Sequence, residues 1–175
     1  MAAISIVPNK FREMHLSLFP FKFTQLTTAD WLNFSGVKGV YGVLLSTTAA
    51  ANNTATGATS WNHGQMLANG AISATATSLA IDGAGAGAGT LARQLPYYAR
   101  TPGGEIIEVI GETAPEAAAS TLTIRRGCLG TTAATIADND YLSILNQIVI
   151  ANAAVGPVTG IAIPMEEEAG AKIFA

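Results

Sequence analysis

Thr121-Leu122-Thr123-Ile124-Arg125-Arg126-Gly127-Cys128-Leu129-Gly130-Thr131-Thr132-Ala133-Ala134 is the stretch on which the fold turns. Its first five residues alternate. Leu122 and Ile124 fall on one side, and Thr121, Thr123 and Arg125 on the other, the period of a half-buried strand. Gly127 and Gly130 permit the positive φ that a bulged turn needs. Arg126 can bond backbone carbonyls, or the carboxylate of Glu105 or Glu108 on a neighbouring strand. The Thr131 and Thr132 hydroxyls can close the turn. Arg126, Gly127, Gly130, Thr131 and Thr132 thus form a structural turn motif that positions a hairpin and performs no reaction.

Working outward, Gly104 to Ile110 reads as a strand with Glu105 and Glu108 embedded, and Gly111 to Ser120 as an Ala/Pro/Glu loop. Tyr141 to Ile150 is a strongly apolar strand. Val155 to Ile163 is another, interrupted at Gly156-Pro157, where proline points to an edge or a bulge. Ala71 to Ile81 reads as a strand or strand pair, and Val37 to Leu45 as a β-branched strand. Phe19, Phe21 and Phe23 alternate in an extended segment. Thr28-Ala29-Asp30 before Trp31-Leu32 has the form of a helix start. His63, in Ser60-Trp61-Asn62-His63-Gly64, reads as a turn residue. Short strands separated by Gly, Pro, Asn and Asp signals argue for an all-β chain. The expected architecture is a compact β-sandwich or small barrel-like module with an extended N-terminal arm. Residues 1–60 form the arm and a low-complexity loop, and residues 61–175 the β-domain.

Composition narrows the classes. Hydrophobic residues make up 49% of the 175-residue chain and charged residues only 12%, about half the usual charged share of roughly 25%. Such a chain is neither a highly charged disordered polymer nor a basic nucleic-acid binder. Residues 1–38 carry a net +2 and residues 39–175 a net −5. From Gly39 to Ile81 there is no Asp, Glu, Lys or Arg, which suggests either a polar loop or a segment covered by a neighbouring subunit. Met1 to Phe23 lacks the order of a secretory signal, and no apolar run is long enough for a membrane helix. The single cysteine, Cys128, rules out an internal disulfide and a cysteine-rich metal site.

Candidates for chemistry are few. Gly83-Ala84-Gly85-Ala86-Gly87-Ala88 meets a dinucleotide spacing, but the seven residues that follow Gly89, Thr90 to Pro96, end in proline before a phosphate-binding helix could form. The same segment reads as a flexible loop. His15 and His63 have no metal-ligand spacing between them or toward Cys128. Cys128 beside Arg125 and Arg126 is a thiolate candidate, or a small side chain filling a turn. Glu166-Glu167-Glu168 reads as a solvated acidic tip. Neither an enzyme, a cofactor nor a metal is expected. Exposed aromatics suited to a carbohydrate platform would be Trp31, Trp61, Tyr97 or Tyr98.

The stretch Thr77 to Ile150 resembles a small β-module that recurs in head and tail proteins of tailed bacteriophages. The resemblance rests on Gly104-Glu105-Ile106-Ile107-Glu108-Val109 followed by Leu122 to Ala134, with Arg126-Gly127-x-x-Gly130-Thr131-Thr132-Ala133-Ala134 as its specific part. Where that pattern commonly has a histidine, this chain has Ile136. The resemblance implies a non-enzymatic virion structural protein made in a bacterial cytoplasm. Within that class a capsid decoration (cement) protein is expected. Its implied partners are itself, as a homotrimer, and the major capsid protein or other virion proteins, without direct contact to nucleic acid or membrane. A tail, neck or head-fibre component, or a receptor- or carbohydrate-binding module of a fibre, are the alternatives. Phe19, Phe21, Phe23 and Trp31, large aromatics in a weakly periodic segment, are candidate assembly anchors.

Overall fold

The computed structural model describes residues 19–25, 29–34, 36–47, 60–82, 93–151 and 156–165. They form ten strands: β1 (Phe19–Gln25), β2 (Ala29–Asn33), β3 (Val40–Thr47), β4 (Ser60–Ala68), β5 (Ser78–Asp82), β6 (Tyr97–Arg100), β7 (Ile106–Glu112), β8 (Ser120–Cys128), β9 (Tyr141–Ala151) and β10 (Gly156–Pro164). No helix occurs among the described residues. The chain is all-β, as its turn signals imply.

Six strands close into an antiparallel barrel in the order β9-β4-β5-β8-β7-β6. Closure comes from β6 returning to β9 through Ala99 opposite Ile144 and Arg100 opposite Ser143. Of the two architectures expected, the barrel is the one formed. Its interior holds Met66, Ala68, Leu79, Ile81, Tyr97, Ala99, Ile107, Val109, Leu122, Ile124, Leu142 and Ile144. The alternation in β8 is the one read from its sequence, with Leu122 and Ile124 inside and Thr121, Thr123 and Arg125 outside. Each such buried aliphatic side chain contributes about 1.5–3 kcal/mol of burial. Ile136 bridges to Ile72 and is also buried against this core.

β9 is longer than the barrel wall. Its first part lies between β4 and β6, and its second between β4 and β2. At the crossing its register against β4 jumps, since His63 faces Ile148 while Gly64 faces Ile144. The bulged residues include Asn146 and Gln147, both buried. Asn146 donates its amide to the Gln94 carbonyl at 3.1 Å and accepts the Phe34 N–H at 2.9 Å through its own carbonyl.

The segment 1–60 is extended where it is described, and its strands pair within the chain. β1 and β3 flank β10 in a three-stranded sheet, and β2 extends the barrel sheet along β9. Val40, Val43, Ile148 and Ala162 form a second core there, with Leu32, Phe34, Val37 and Trp61 packed on it. A third core, Tyr98, Ile106, Leu145 and Met165, seats this layer on the barrel. The fit is close at Gly39, where a Cβ would lie 2.9 Å from the Leu145 Cβ and 3.0 Å from the Met165 sulfur.

Several local expectations are corrected. Of the expected helix start Thr28-Ala29-Asp30, Ala29 and Asp30 are instead in strand β2, because Trp31 and Leu32 pair with Val149 and Ile148 and tertiary pairing overrides a five-residue propensity, while Thr28 lies outside the described residues. His63 lies within β4, not in a turn. Ala71 to Thr77 is mostly a turn, with the Ala76 N–H donating to the Ser73 carbonyl at 3.2 Å, and only Ser78–Asp82 is a strand. Strand β6 follows Pro96, where no strand was expected. β10 runs through Pro157, which pairs only with Thr24, before β10 gains its second neighbour at Val158. The uncharged stretch contributes β3, β4 and β5. It supplies Val40, Val43, Met66, Leu67, Ala68, Leu79 and Ile81 to the chain's own cores. The Gly-Ala run, His15 and Glu166-Glu167-Glu168 lie outside the described residues.

Candidate functional site

The turn after β8 is built around one buried carboxylate. Glu105, 1% exposed, precedes β7, and Arg126 reaches it from β8. The guanidinium binds it in a fork, Nε to Oε1 at 2.8 Å and Nη2 to Oε2 at 2.7 Å. Glu105 also accepts the Gly127 N–H and the Ala134 N–H, both at 3.0 Å. The rest of the guanidinium donates to the Ser73 carbonyl at 2.7 Å and to the Ala134 carbonyl. One ion pair thus ties together β7, β8, the turn before β5 and the segment after Gly130. Charge-assisted, bidentate pairs of this kind are among the stronger polar contacts in proteins.

The glycines are there for conformation. Gly127 has φ +63°, and a Cβ on it would meet the Thr131 carbonyl oxygen at 2.9 Å. Gly130 has φ +75° in open space. Thr131 closes the turn from both sides: its hydroxyl donates to the Cys128 carbonyl at 2.8 Å and accepts the Ile106 N–H at 2.9 Å. Thr132 is exposed and outside this network. Of the two threonines expected to close the turn, Thr131 does so. Of the two carboxylates open to Arg126, it takes Glu105. Glu108, 3% exposed, takes Arg125 at 3.1 Å and Lys38 at 2.6 Å. The Lys38 contact links the segment before β3 to the barrel wall.

A further buried pair sits at the other end of β7. Arg93 and Glu112 have fully buried side chains, and Arg93 Nε donates to Glu112 Oε1 at 2.7 Å. Arg93 also donates to the Ala114 and Ala117 carbonyls, at 3.3 and 2.7 Å. The Tyr97 hydroxyl donates to Glu112 Oε2 at 3.4 Å. Burial, then the Glu112 charge, pushes the Tyr97 phenol far up, with Arg93 opposing. Nothing in the spacing of Arg93 and Glu112 announces this pair. Its signal is only a carboxylate at the end of an apolar strand.

The other candidates fall as follows. Cys128 is half-buried, and its thiol contacts the Arg125 carbonyl at 3.7 Å while Arg126 is committed to Glu105. Among the described residues no group of three or more His, Cys, Asp or Glu is arranged to hold a metal ion. Phe19, Phe21 and Phe23 face Ala162, Gly160 and Val158 across β1–β10, and Trp31 faces Val149 across β2–β9. Their side chains lie outside the described residues. Tyr97 and Tyr98 are fully buried, so neither is a surface platform. Trp61 is half-buried, with its ring edge-on to His63 at 5.2 Å.

Two groups make the fold acid-sensitive. Burial alone would push the Glu105 carboxyl up and is the largest single influence. The Arg126 hydrogen bonds, the Ala134 and Gly127 amides and the Arg126 charge together outweigh it and hold the group below the usual carboxylate range. A carboxyl depressed in the folded state stabilises the fold above its unfolded pKa, about 4.3, and that contribution is lost as pH falls through the folded value. His63 is lowered by burial, against a raising contact from its Nδ1 to the Gln147 carbonyl at 3.4 Å, and with help from the Arg100 charge. Below about pH 6.5 the unfolded chain binds this proton more readily, so stability falls there too. Guanidinium melts from pH 8 to 3 are therefore expected to show two declining stages. His63→Gln should remove the upper one; a flat profile between pH 7 and 5 in the wild type would contradict it.

Set against known proteins, the chain matches no family model, no curated protein and no solved structure.

Proposed function

We propose that this chain is a non-enzymatic structural protein of a tailed-phage virion, and within that class a homotrimeric decoration protein that cements the capsid lattice. The observation that carries the reading is the fate of the Arg126 to Thr131 motif. Arg126, Gly127 and Thr131 are consumed in bonds that brace one hairpin, as expected of a motif that supports a scaffold and presents no reacting group. The resemblance of Thr77 to Ile150 to the phage module, with the same motif at its centre, supplies the class. The sparse charge of the chain also favours extensive contact with other subunits. A lattice repeats each contact many times, so a modest contact becomes strong collectively.

In this reading the segment 1–35 carries the attachment. Its net charge is positive against an acidic body, and it holds Phe19, Phe21, Phe23 and Trp31. Quantitative mass spectrometry of purified particles tests the assignment. A copy number commensurate with the major capsid protein is expected. A handful of copies per particle would overturn the head assignment in favour of a neck, tail or fibre component, and absence from particles would overturn the virion reading itself.

A further inference from the structure

One arginine stands apart from the rest. Of the four arginines among the described residues, Arg93, Arg125 and Arg126 are each paired to a glutamate. Arg100 is exposed and makes no hydrogen bond or ion pair among the described residues. It lies at the end of β6, directly across from Ser143 of β9. Leu142 and Ile144 point into the barrel, so Tyr141 and Ser143 point outward, and Arg100 shares their face. Tyr141 is 52% exposed, one of the few large exposed side chains of the described residues. These three groups line an open cleft of about 590 Å³, walled by the turns around Thr101 and Asn139-Asp140.

The walls are braced, and Arg100, Tyr141 and Ser143 face the cleft with no side-chain hydrogen bond among the described residues. On one side Thr101 N–H donates to the Glu105 carbonyl at 2.9 Å, and Thr101 Oγ1 accepts the Glu105 N–H at 3.1 Å. On the other, Asn139 N–H donates to the Ala68 carbonyl at 3.0 Å, the Asp140 carbonyl accepts the Ala68 N–H at 2.9 Å, and Asp140 Oδ2 accepts the Ala137 N–H at 2.8 Å. Asn139 is held at φ +64°, a conformation uncommon outside glycine. A cleft fixed this way gives up little further order when it is filled.

We infer that this cleft is a binding site for an acidic saccharide. The Tyr141 ring offers a flat apolar face with a polar tip, suited to the C–H face of a pyranose. The Arg100 fork matches a sugar carboxylate, and Ser143 and Asp140 supply partners for hydroxyls, while the Asn139 amide is already donated to Asp138 Oδ2 at 2.8 Å. Asp140 offsets the Arg100 charge, so the cleft is a poor trap for a bare anion, and the ligand's ring face and hydroxyls must contribute beside its carboxylate. A peptide fits less well. β6 and β9 are paired on both sides at this point, so the cleft offers no free strand edge for main-chain pairing. Tyr141, unlike the buried Tyr97 and Tyr98, is exposed enough to offer such a face.

Amide chemical shifts of the full chain test the site. The probes are methyl glucuronide, methyl galacturonide and methyl sialoside, with methyl glucoside, inorganic phosphate and acetylated triglutamate as contrasts. At least one acidic sugar is expected to shift amides within residues 100–104 and 139–143, and to bind about tenfold tighter than the glucoside. Arg100→Ala should abolish that preference. Tyr141→Ala should weaken the acidic and neutral sugars alike, by about tenfold. Both positions are exposed, so unchanged melting midpoints are expected to accompany these losses. No shifts with any sugar, shifts confined to other residues, or equal response to phosphate or triglutamate would overturn the assignment. The site does not depend on a place in a virion. A chain absent from particles that still shows these shifts leaves it standing, and a particle-bound chain without them overturns the site alone.

Discussion

Arg126→Ala is expected to destabilise the fold by about 3–5 kcal/mol, the cost of stranding one member of a buried ion pair. The Arg126 side chain is 8% exposed and that of Glu105 is fully buried. Truncation leaves Glu105 with the Gly127 and Ala134 amides and no positive charge, and frees the Ser73 and Ala134 carbonyls from their shared donor. For a chain of this length the loss corresponds to a fall in Tm of roughly 2–4 °C per kcal/mol. Arg126→Lys should recover only part of it, because an ammonium cannot reproduce the two-pronged geometry. The variant also carries a diagnostic change in pH dependence. Without the Arg126 hydrogen bonds and charge, burial is opposed only by the Ala134 and Gly127 amides, so the Glu105 carboxyl moves upward from its wild-type position. The part of the acid loss that Glu105 causes in the wild type should then shrink. Glu105→Gln placed on Arg126→Ala should relieve much of the damage at neutral pH. Urea melts at pH 7 and pH 4 read all of this. A single-variant loss under 1 kcal/mol would show that the bracket does not hold the hairpin.

Much of this bracket could be read from residues alone because its information is local. Leu122 and Ile124 alternate with Thr121, Thr123 and Arg125 over a few positions, and two glycines with an intervening pair mark the turn. The choice between Glu105 and Glu108 could not be read, because it depends on register. β7 is bulged against β8 between Ile106 and Glu108, and one residue of slip exchanges the faces. Strands β4 and β6 carry no clear sequence signal for related reasons. β4 contains Asn62, His63 and Gly64 in the middle of its run, and its partner β9 absorbs the mismatch with a bulge. β6 is four residues long and is a strand because β7 and β9 lie on either side of it. In the sequence Tyr141 marks only the start of an apolar strand. Its exposure beside Arg100 follows from barrel closure, which joins residues about forty positions apart.

The buried pair Arg93–Glu112 separates two questions that the Arg126 bracket leaves joined: what a buried ion pair costs to break, and what it is worth. Both side chains are completely removed from solvent, so each single truncation strands a charge. Arg93→Met and Glu112→Leu are each expected to cost about 3–5 kcal/mol. Glu112→Leu also removes the acceptor of the Tyr97 hydroxyl, and Arg93→Met releases the Ala114 and Ala117 carbonyls of the loop before β8. The double variant should cost far less than the two singles added, because the same desolvation penalty that makes each orphan expensive disappears when both charges go. Apolar replacements of similar volume are often neutral or stabilising overall. Here the loop carbonyls and the Tyr97 hydroxyl lose partners that no apolar side chain replaces. A residual loss of about 1–3 kcal/mol is therefore expected, and it measures the pair's work as a clamp on residues 113–119 rather than as an attraction of charges. Hydrogen exchange locates it: in the double variant, amides of that loop should exchange faster while those of β7 and β8 keep their protection. Additive losses in the double-mutant cycle would contradict the coupling, and uniform loss of protection across the barrel would contradict the clamp.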